Sequence, residues 1–93
     1  MIQNFGDKET ELLFKREKIR KLPQNLLQRA RNKLLIIHAA ASESDLNIPP
    51  DNRFEKLKGN KKEWCSIRIN DQWRVIFKWT EGNAYEVTIT DYH

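Results

Sequence analysis

The sequence predicts an α+β fold, a small and largely antiparallel sheet with an N-terminal helical hairpin packed on one face. Three observations carry this. Leu27, Ala30, Leu34, Ile37 and Ala41 recur at spacings of three and four, the stripe of an amphipathic helix. From Trp64 onward, three runs alternate apolar and polar residues, the period of half-buried strands. Asn70-Asp71 and Glu81-Gly82-Asn83 separate those runs and read as hairpin turns. At 93 residues the chain is expected to be one domain, 1–93, with a modest core.

Ile2 to Phe5 reads as a short edge strand that Gly6 breaks. Asp7 is placed to cap a first helix from Lys8 to about Glu17, since its carboxylate can accept free N–H groups. Thr10, Leu13 and Phe14 would face inward, joined by Leu12. Glu9 and Glu11 open this helix and Lys15, Arg16 and Lys18 close it, an order that suits the helix dipole. Lys18 to Lys21 is a basic connector. Pro23 fits the first turn of the second helix, where its missing N–H costs nothing. Leu26, Leu35 and Ile36 widen the apolar stripe, and Arg29, Arg31 and Lys33 lie off it.

Residues 42–53 form the one long irregular stretch. Pro49-Pro50 argues against helix there and for a stiff extended segment. Such a loop in a small domain is more often functional than idle. Phe54 to Lys58 is a short strand, followed by a turn at Gly59-Asn60. In the terminal module, parity assigns Ile67, Ile69, Trp73, Val75, Phe77, Tyr85, Val87 and Ile89 to a core face. The opposite, open face receives Arg68, Arg74, Ile76, Thr88, Thr90 and Tyr92. Trp64, Trp73 and Trp79 read as packing residues, His38 as a border residue and Cys65 as buried.

Seventeen Lys and Arg against thirteen Asp and Glu give a formal charge of +4, which favours a polyanionic or acidic partner. One cysteine excludes a disulfide framework. No signal sequence or membrane span is readable, so a cytoplasmic location is expected. The phosphate-binding GxxxxGK[ST] and GxGxxG patterns and the zinc pattern HExxH are absent. Two histidines and one cysteine do not make an ordinary zinc site. The expected chemistry is therefore free of metal and cofactor and uses acid–base groups and cations.

Arg74, in mid-strand on the open face, is the most pointed candidate, because a guanidinium on a rigid strand can hold a phosphate bidentately. Tyr92 shares that face by parity, whereas Asp91 and His93 have the opposite parity at a strand end. His93 is suited to proton transfer near neutrality. Lys58, Lys56 and Arg53 approach from the neighbouring strand. Glu55 is a possible carboxylate base, but its parity with Leu57 calls for a bulge to expose it. Spacing alone also accommodates a plainer account: a solvated, ion-paired sheet face and a frayed terminus.

Three stretches together resemble one family. They are residues 49–59 (PPDNRFEKLKG), residues 66–74 (SIRINDQWR) and Asp91-Tyr92-His93, supported by Met1-Ile2, Phe5 and Leu13-Phe14. This order and spacing resembles HigB-type toxins of the RelE/ParE superfamily along essentially the whole chain. The resemblance implies a RelE-like, microbial-ribonuclease-like fold and a ribosome-dependent endoribonuclease that cuts mRNA in the A site of the small subunit. It implies a HigA-type helix-turn-helix antitoxin as partner, with operator DNA reached only through that antitoxin. Catalytic roles would fall on Lys58, Arg74, Asp91, Tyr92 and His93, with Glu55 as alternative base. Some members carry histidine at the position of Glu55, which leaves the general base open between His93 and Glu55. Arg53, Lys56, Lys61, Lys62 and Arg68 would contact RNA or ribosome, and Lys18, Arg20 and Lys21 would extend that basic surface. Two other classes compete. One is a ParE-like inhibitor of DNA gyrase, the other a non-catalytic basic RNA-binding domain.

Overall fold

The computed structural model describes residues 1–57 and 64–91. In chain order the elements are α1 (Lys8–Phe14), α2 (Leu27–Ala39), β1 (Glu55–Lys56), β2 (Trp64–Arg68), β3 (Trp73–Thr80) and β4 (Asn83–Asp91). Short 3-10 turns at Gln24–Leu26, Glu43–Asn47 and Pro50–Asn52 connect them. The four strands form one antiparallel sheet in the order β1-β2-β3-β4. The α+β reading therefore holds, with α1 and α2 as the helical pair. The expected turn at Gly59-Asn60 lies outside the described residues.

The first helix is shorter than its apolar pattern suggested. It stops at Phe14 because Arg16 adopts the left-handed region, at φ 69°. Arg16 N–H then bonds Leu13 O (3.0 Å) and Glu17 N–H bonds Leu12 O (2.9 Å), which satisfies carbonyls the helix leaves open. The reversal turns Ile19 and Leu22 into the core, so the basic connector carries two buried anchors. Asp7 holds the expected N-cap position, but its side chain makes no capping bond. Its Oδ2 pairs with Lys21 Nζ at 2.8 Å instead.

In α2 the stripe Leu27, Ala30, Leu34 and Ile37 is buried as its spacing predicts. Ala41 falls outside the helix and is exposed; Ala40, already extended, is buried in its place. Leu35 does not widen the stripe but faces solvent. Lys33, expected outside, is buried. Polar ties as well as packing join the two helices to each other and to the sheet. Arg31 Nε donates to Leu13 O at 3.1 Å, and Ile89 N–H donates to the buried Thr10 Oγ1 at 3.0 Å. In the loop, Leu46 is fully buried. Pro49 is extended, but Pro50 opens a 3-10 turn, where proline loses no hydrogen bond.

Strand parity predicts the core face at every assigned position but one. Ile67, Ile69, Val75, Phe77, Val87 and Ile89 are buried and Trp73 packs against them. Tyr85 is the exception. Ile76 pairs with Thr88 but Lys78 pairs with Tyr85, so Glu86 and Val87 together oppose Phe77. Glu86 takes φ 53° in this bulge. The extra residue inverts the phase, so Ala84 enters the core and Tyr85 stands on the Lys78 face. Ile2 and Phe5 form parallel bridges to Ala84 and Val87, placing the N-terminal segment along β4. Gly6 is required where they meet, since a Cβ there would strike Thr88 Oγ1 and the Glu86 carbonyl.

Glycine or asparagine is the usual residue where Arg16 stands, and a left-handed L-residue costs roughly 1–2 kcal/mol. Arg16→Gly should therefore stabilise the fold by about 1 kcal/mol after the entropy of glycine is charged. A urea titration should show a higher midpoint at unchanged slope.

Candidate active site

Residues paired across an antiparallel sheet share a face. One row reads Glu55, Ser66, Ile76, Thr88; the next reads Arg68, Arg74, Thr90. The polar face derived from parity is thus assembled by β2, β3 and β4, and β1 adds Glu55 to it. Glu55 needs no bulge. It sits on an edge strand, where the sheet does not require the apolar residue of the same parity, Leu57, to turn inward.

Arg74 is not an open side chain. It is only 7% exposed, and the segment preceding β1 closes over it. Its Nε donates to Ser66 Oγ (2.9 Å) and its Nη2 to the Arg53 carbonyl (2.6 Å). Its Nη1 lies 3.5 Å from Glu55 Oε1, whose side chain is half exposed. The two short bonds fix the guanidinium plane. The Glu55 contact is long for a charge-assisted bond, which normally closes to about 2.7–2.9 Å. The Nη1 edge faces the half-exposed carboxylate of Glu55.

Arg68 stands directly opposite Arg74. Like charges in facing positions repel. Each has its own carboxylate, Arg68 with Asp71 and Arg74 with Glu55, and these two ion pairs offset the repulsion. Arg53 is exposed and left-handed at φ 45°. Lys56 points away from Arg74, pairs with Cys65 in register and ties its Nζ to Glu43 at 2.9 Å. That contact raises its pKa, first through the hydrogen bond and then through the field of Glu43. Asp91 pairs with Trp73, on the side of the sheet away from Arg74, and accepts from Gln72 Nε2 at 3.0 Å. Lys21 is engaged with Asp7 rather than presented to solvent. Lys58, Lys61, Lys62, Tyr92 and His93 lie outside the described residues.

Sequence reasoning passed over Ser66, which parity already placed beside Arg68 but which looked like an ordinary polar alternation. It also passed over Lys33 and Asn52, for which α2 periodicity and a loop composition gave no signal. His38 is a border residue as read: its Nδ1 accepts from Ile2 N–H at 3.1 Å and its ring packs on Phe14. Trp73 and Trp79 pack against the core, and Lys78 Nζ lies 5.4 Å over the Trp64 ring. Cys65 is buried, and its thiol pKa is pushed up to about 11 by burial first and the Glu43 charge second. It is therefore no thiolate nucleophile near neutrality. Among the described residues, no helix is long and apolar enough to cross a membrane.

This arrangement, a meander sheet with a helical pair behind it and a buried arginine in front, has relatives. Residues 3–93 match the HigB-like toxin family, described as RelE-like toxin of type II toxin–antitoxin system HigB. The chain belongs to the HigB-like toxin family. Toxin HigB-1 of Vibrio cholerae is 48% identical over 85 residues, 90% of each chain. Endoribonuclease HigB of Proteus vulgaris is 30% identical over 93 residues and the full length of both. Among solved structures, YafQ from E. coli superposes with a TM-score of 0.55 at 14% identity, covering 98% of this chain and 91% of that one. YoeB from Staphylococcus aureus superposes at 0.53 with 18% identity, covering 99% and 94%. These structures share the fold. Membership in a type II system makes this HigB-like chain a toxin and implies an antitoxin as its partner.

Cys65 supplies a pH signature. The unfolded thiol ionises near 9, whereas the folded one holds its proton to about 11. Between those values the unfolded state binds fewer protons, so stability falls as pH rises. Below pH 9 the thiol contributes no slope. Chemical unfolding of Cys65→Ala should show a shallower loss from pH 9 to 11 than the parent.

Proposed function

We propose that this toxin is a ribosome-dependent endoribonuclease that cuts translated mRNA in the A site. The observation that carries the reading is Arg74: a buried guanidinium, oriented by Ser66 and Arg53, with its Nη1 edge beside a half-exposed carboxylate. The similarity to a full-length relative named Endoribonuclease HigB supports it.

In the reaction we infer, a ribose 2′-oxygen attacks the adjacent phosphorus. The phosphorus–O5′ bond breaks, leaving a 2′,3′-cyclic phosphate and a 5′-hydroxyl. A base must take the 2′ proton, an acid must supply one to the 5′-oxygen, and a cation must meet the phosphate oxygens as their charge redistributes. Arg74 is assigned to the phosphate through its Nη1 edge, with Lys58 as second cation. His93 is assigned to proton transfer, Tyr92 to stacking on a base or assisting the proton, and Asp91 to orientation at the end of β4. Glu55 poises Arg74 and is the alternative base. With acid, base and cation all supplied by side chains, the step requires no metal. Arg53 and Arg68 are assigned to phosphate contacts with mRNA and rRNA, with Lys18, Arg20, Lys61 and Lys62 as further cations for that role, whereas Lys56 is held by Glu43 away from Arg74. The ribosome supplies the in-line geometry that a small site lacks. A HigA-type antitoxin would neutralise the toxin and carry it to operator DNA, and both would reside in the cytoplasm.

Mapping mRNA 5′ ends after induction tests this. Translation-dependent cuts within codons are expected. Intact mRNA with DNA-damage signalling would place the chain with gyrase poisons, and intact mRNA without it would leave RNA binding alone. Arg74→Ala should lower cleavage at least about 100-fold, the scale of lost electrostatic stabilisation. His93→Gln should lower it by roughly 10²–10⁴, and Glu55→Gln by clearly less. An equal or larger loss for Glu55→Gln would move the base to Glu55.

A further inference from the structure

Helix α2 carries another buried cation, outside the catalytic set. Lys33 is 6% exposed on α2. Its Nζ bonds Asn52 Oδ1 at 2.5 Å and meets Asp51 Oδ1 at 3.3 Å. Asn52 has no exposed surface. Its Nδ2 donates to the carbonyls of Leu46 (3.1 Å) and Ile48 (3.2 Å), while its backbone N–H donates to Pro49 O (3.0 Å). The amide can take one orientation only. Turning it over would aim its NH2 at the lysine ammonium and its oxygen at two carbonyls. Asn52 thus clamps the 42–52 loop to the helix.

The residue after the clamp is Arg53, in the left-handed region, and its carbonyl accepts from Arg74 Nη2 at 2.6 Å. Two residues further, Glu55 meets Nη1 of the same guanidinium. Two of the groups that fix Arg74 therefore come from the segment Asn52 anchors. Ser66, which also holds it, comes from β2. A lysine buried against an amide is an expensive way to hold a loop for stability alone, because its desolvation is only partly offset. It does specify one position of that loop.

We propose that Lys33 and Asn52 are positioning residues that set the depth and plane of the Arg74 guanidinium through the Arg53 carbonyl and Glu55. The proposal rests on the reading of Arg74 as the phosphate-binding group, and its consequence is that a helix residue remote from RNA controls turnover. The linkage itself is structural and can be read without RNA.

The test uses the full chain with Lys33→Met, which keeps the aliphatic stem, and Asn52→Asp, which keeps the shape but sets a carboxylate against two carbonyls. The first readout is the Nε–H resonance of Arg74 by 15N NMR, with its exchange rate. Both variants should shift it and speed its exchange at temperatures where the fold stays intact by unfolding curves. The second is cleavage: kcat should drop by about 10²-fold, the scale of a 1 Å misplacement, with KM nearly constant. In an Arg74→Lys background the same changes should cost little more. An unmoved Arg74 resonance in both folded variants overturns the proposal. So does a loss that follows only the folded fraction and multiplies undiminished with Arg74→Lys. Should the resonance shift while Arg74→Ala cleaves at the parental rate, the linkage stands and the phosphate role of Arg74 falls. Should one variant not fold, the Arg74 resonance and the cleavage kinetics of the other decide.

Discussion

The guanidinium of Arg74 sits where a sheet would normally place a neutral side chain, and much of the molecule is arranged to permit it. A buried charge is tolerated only when its polar atoms are met. Here they are met by a serine on the adjacent strand, a loop carbonyl and a carboxylate on the edge strand. Each demands something of the fold. Ser66 must be buried on a face that is elsewhere half-exposed. Arg53 must take a left-handed backbone to aim its carbonyl inward. Strand β1 must bring Glu55 to the guanidinium from the neighbouring side of β2.

Much of this was legible from period and parity. Strand alternation placed Arg74 and Arg68 on one face and the apolar residues on the other, because period two leaves no freedom once a core exists. The α2 stripe was legible for the same reason. What was not legible has a common cause. Arg16, Arg53, Glu81 and Glu86 all adopt positive φ without being glycine. Glycine or asparagine would have announced those positions; arginine and glutamate do not. Two of them mark places where the reading failed, the end of α1 and the phase of β4. A further miss, Lys33 with Asn52, is a contact between a helix and a loop nineteen residues on, which no local pattern encodes. At the site, residue types were readable and their confinement was not: Arg74 was expected on an open face and lies beneath a loop.

The family relationship adds weight to the division between the two sides of the sheet. The helical side is a conventional core, closed by Leu34, Ile37, Phe77 and Val87 with polar ties at Thr10 and Arg31. The opposite side carries two facing arginines, each paired with its own carboxylate. Stability is built largely on the first, and the second holds the arginine assigned to phosphate in the proposed reaction. The loop 42–52 joins them, since Leu46 enters the core while Asn52 leads into the arginine cluster.

The bulge at Glu86 has a consequence for how this sequence can drift. It resets the alternation of β4, so residues 83–85 and 87–91 keep separate phases along one strand. A change of turn length at the far hairpin can be absorbed there, at an irregularity already stitched to Asn4 and Gly6, before it reaches Thr90 opposite Arg74. The bulge is an expansion joint: it lets one end of the sheet be rewritten by mutation while the end that holds Arg74 keeps its register.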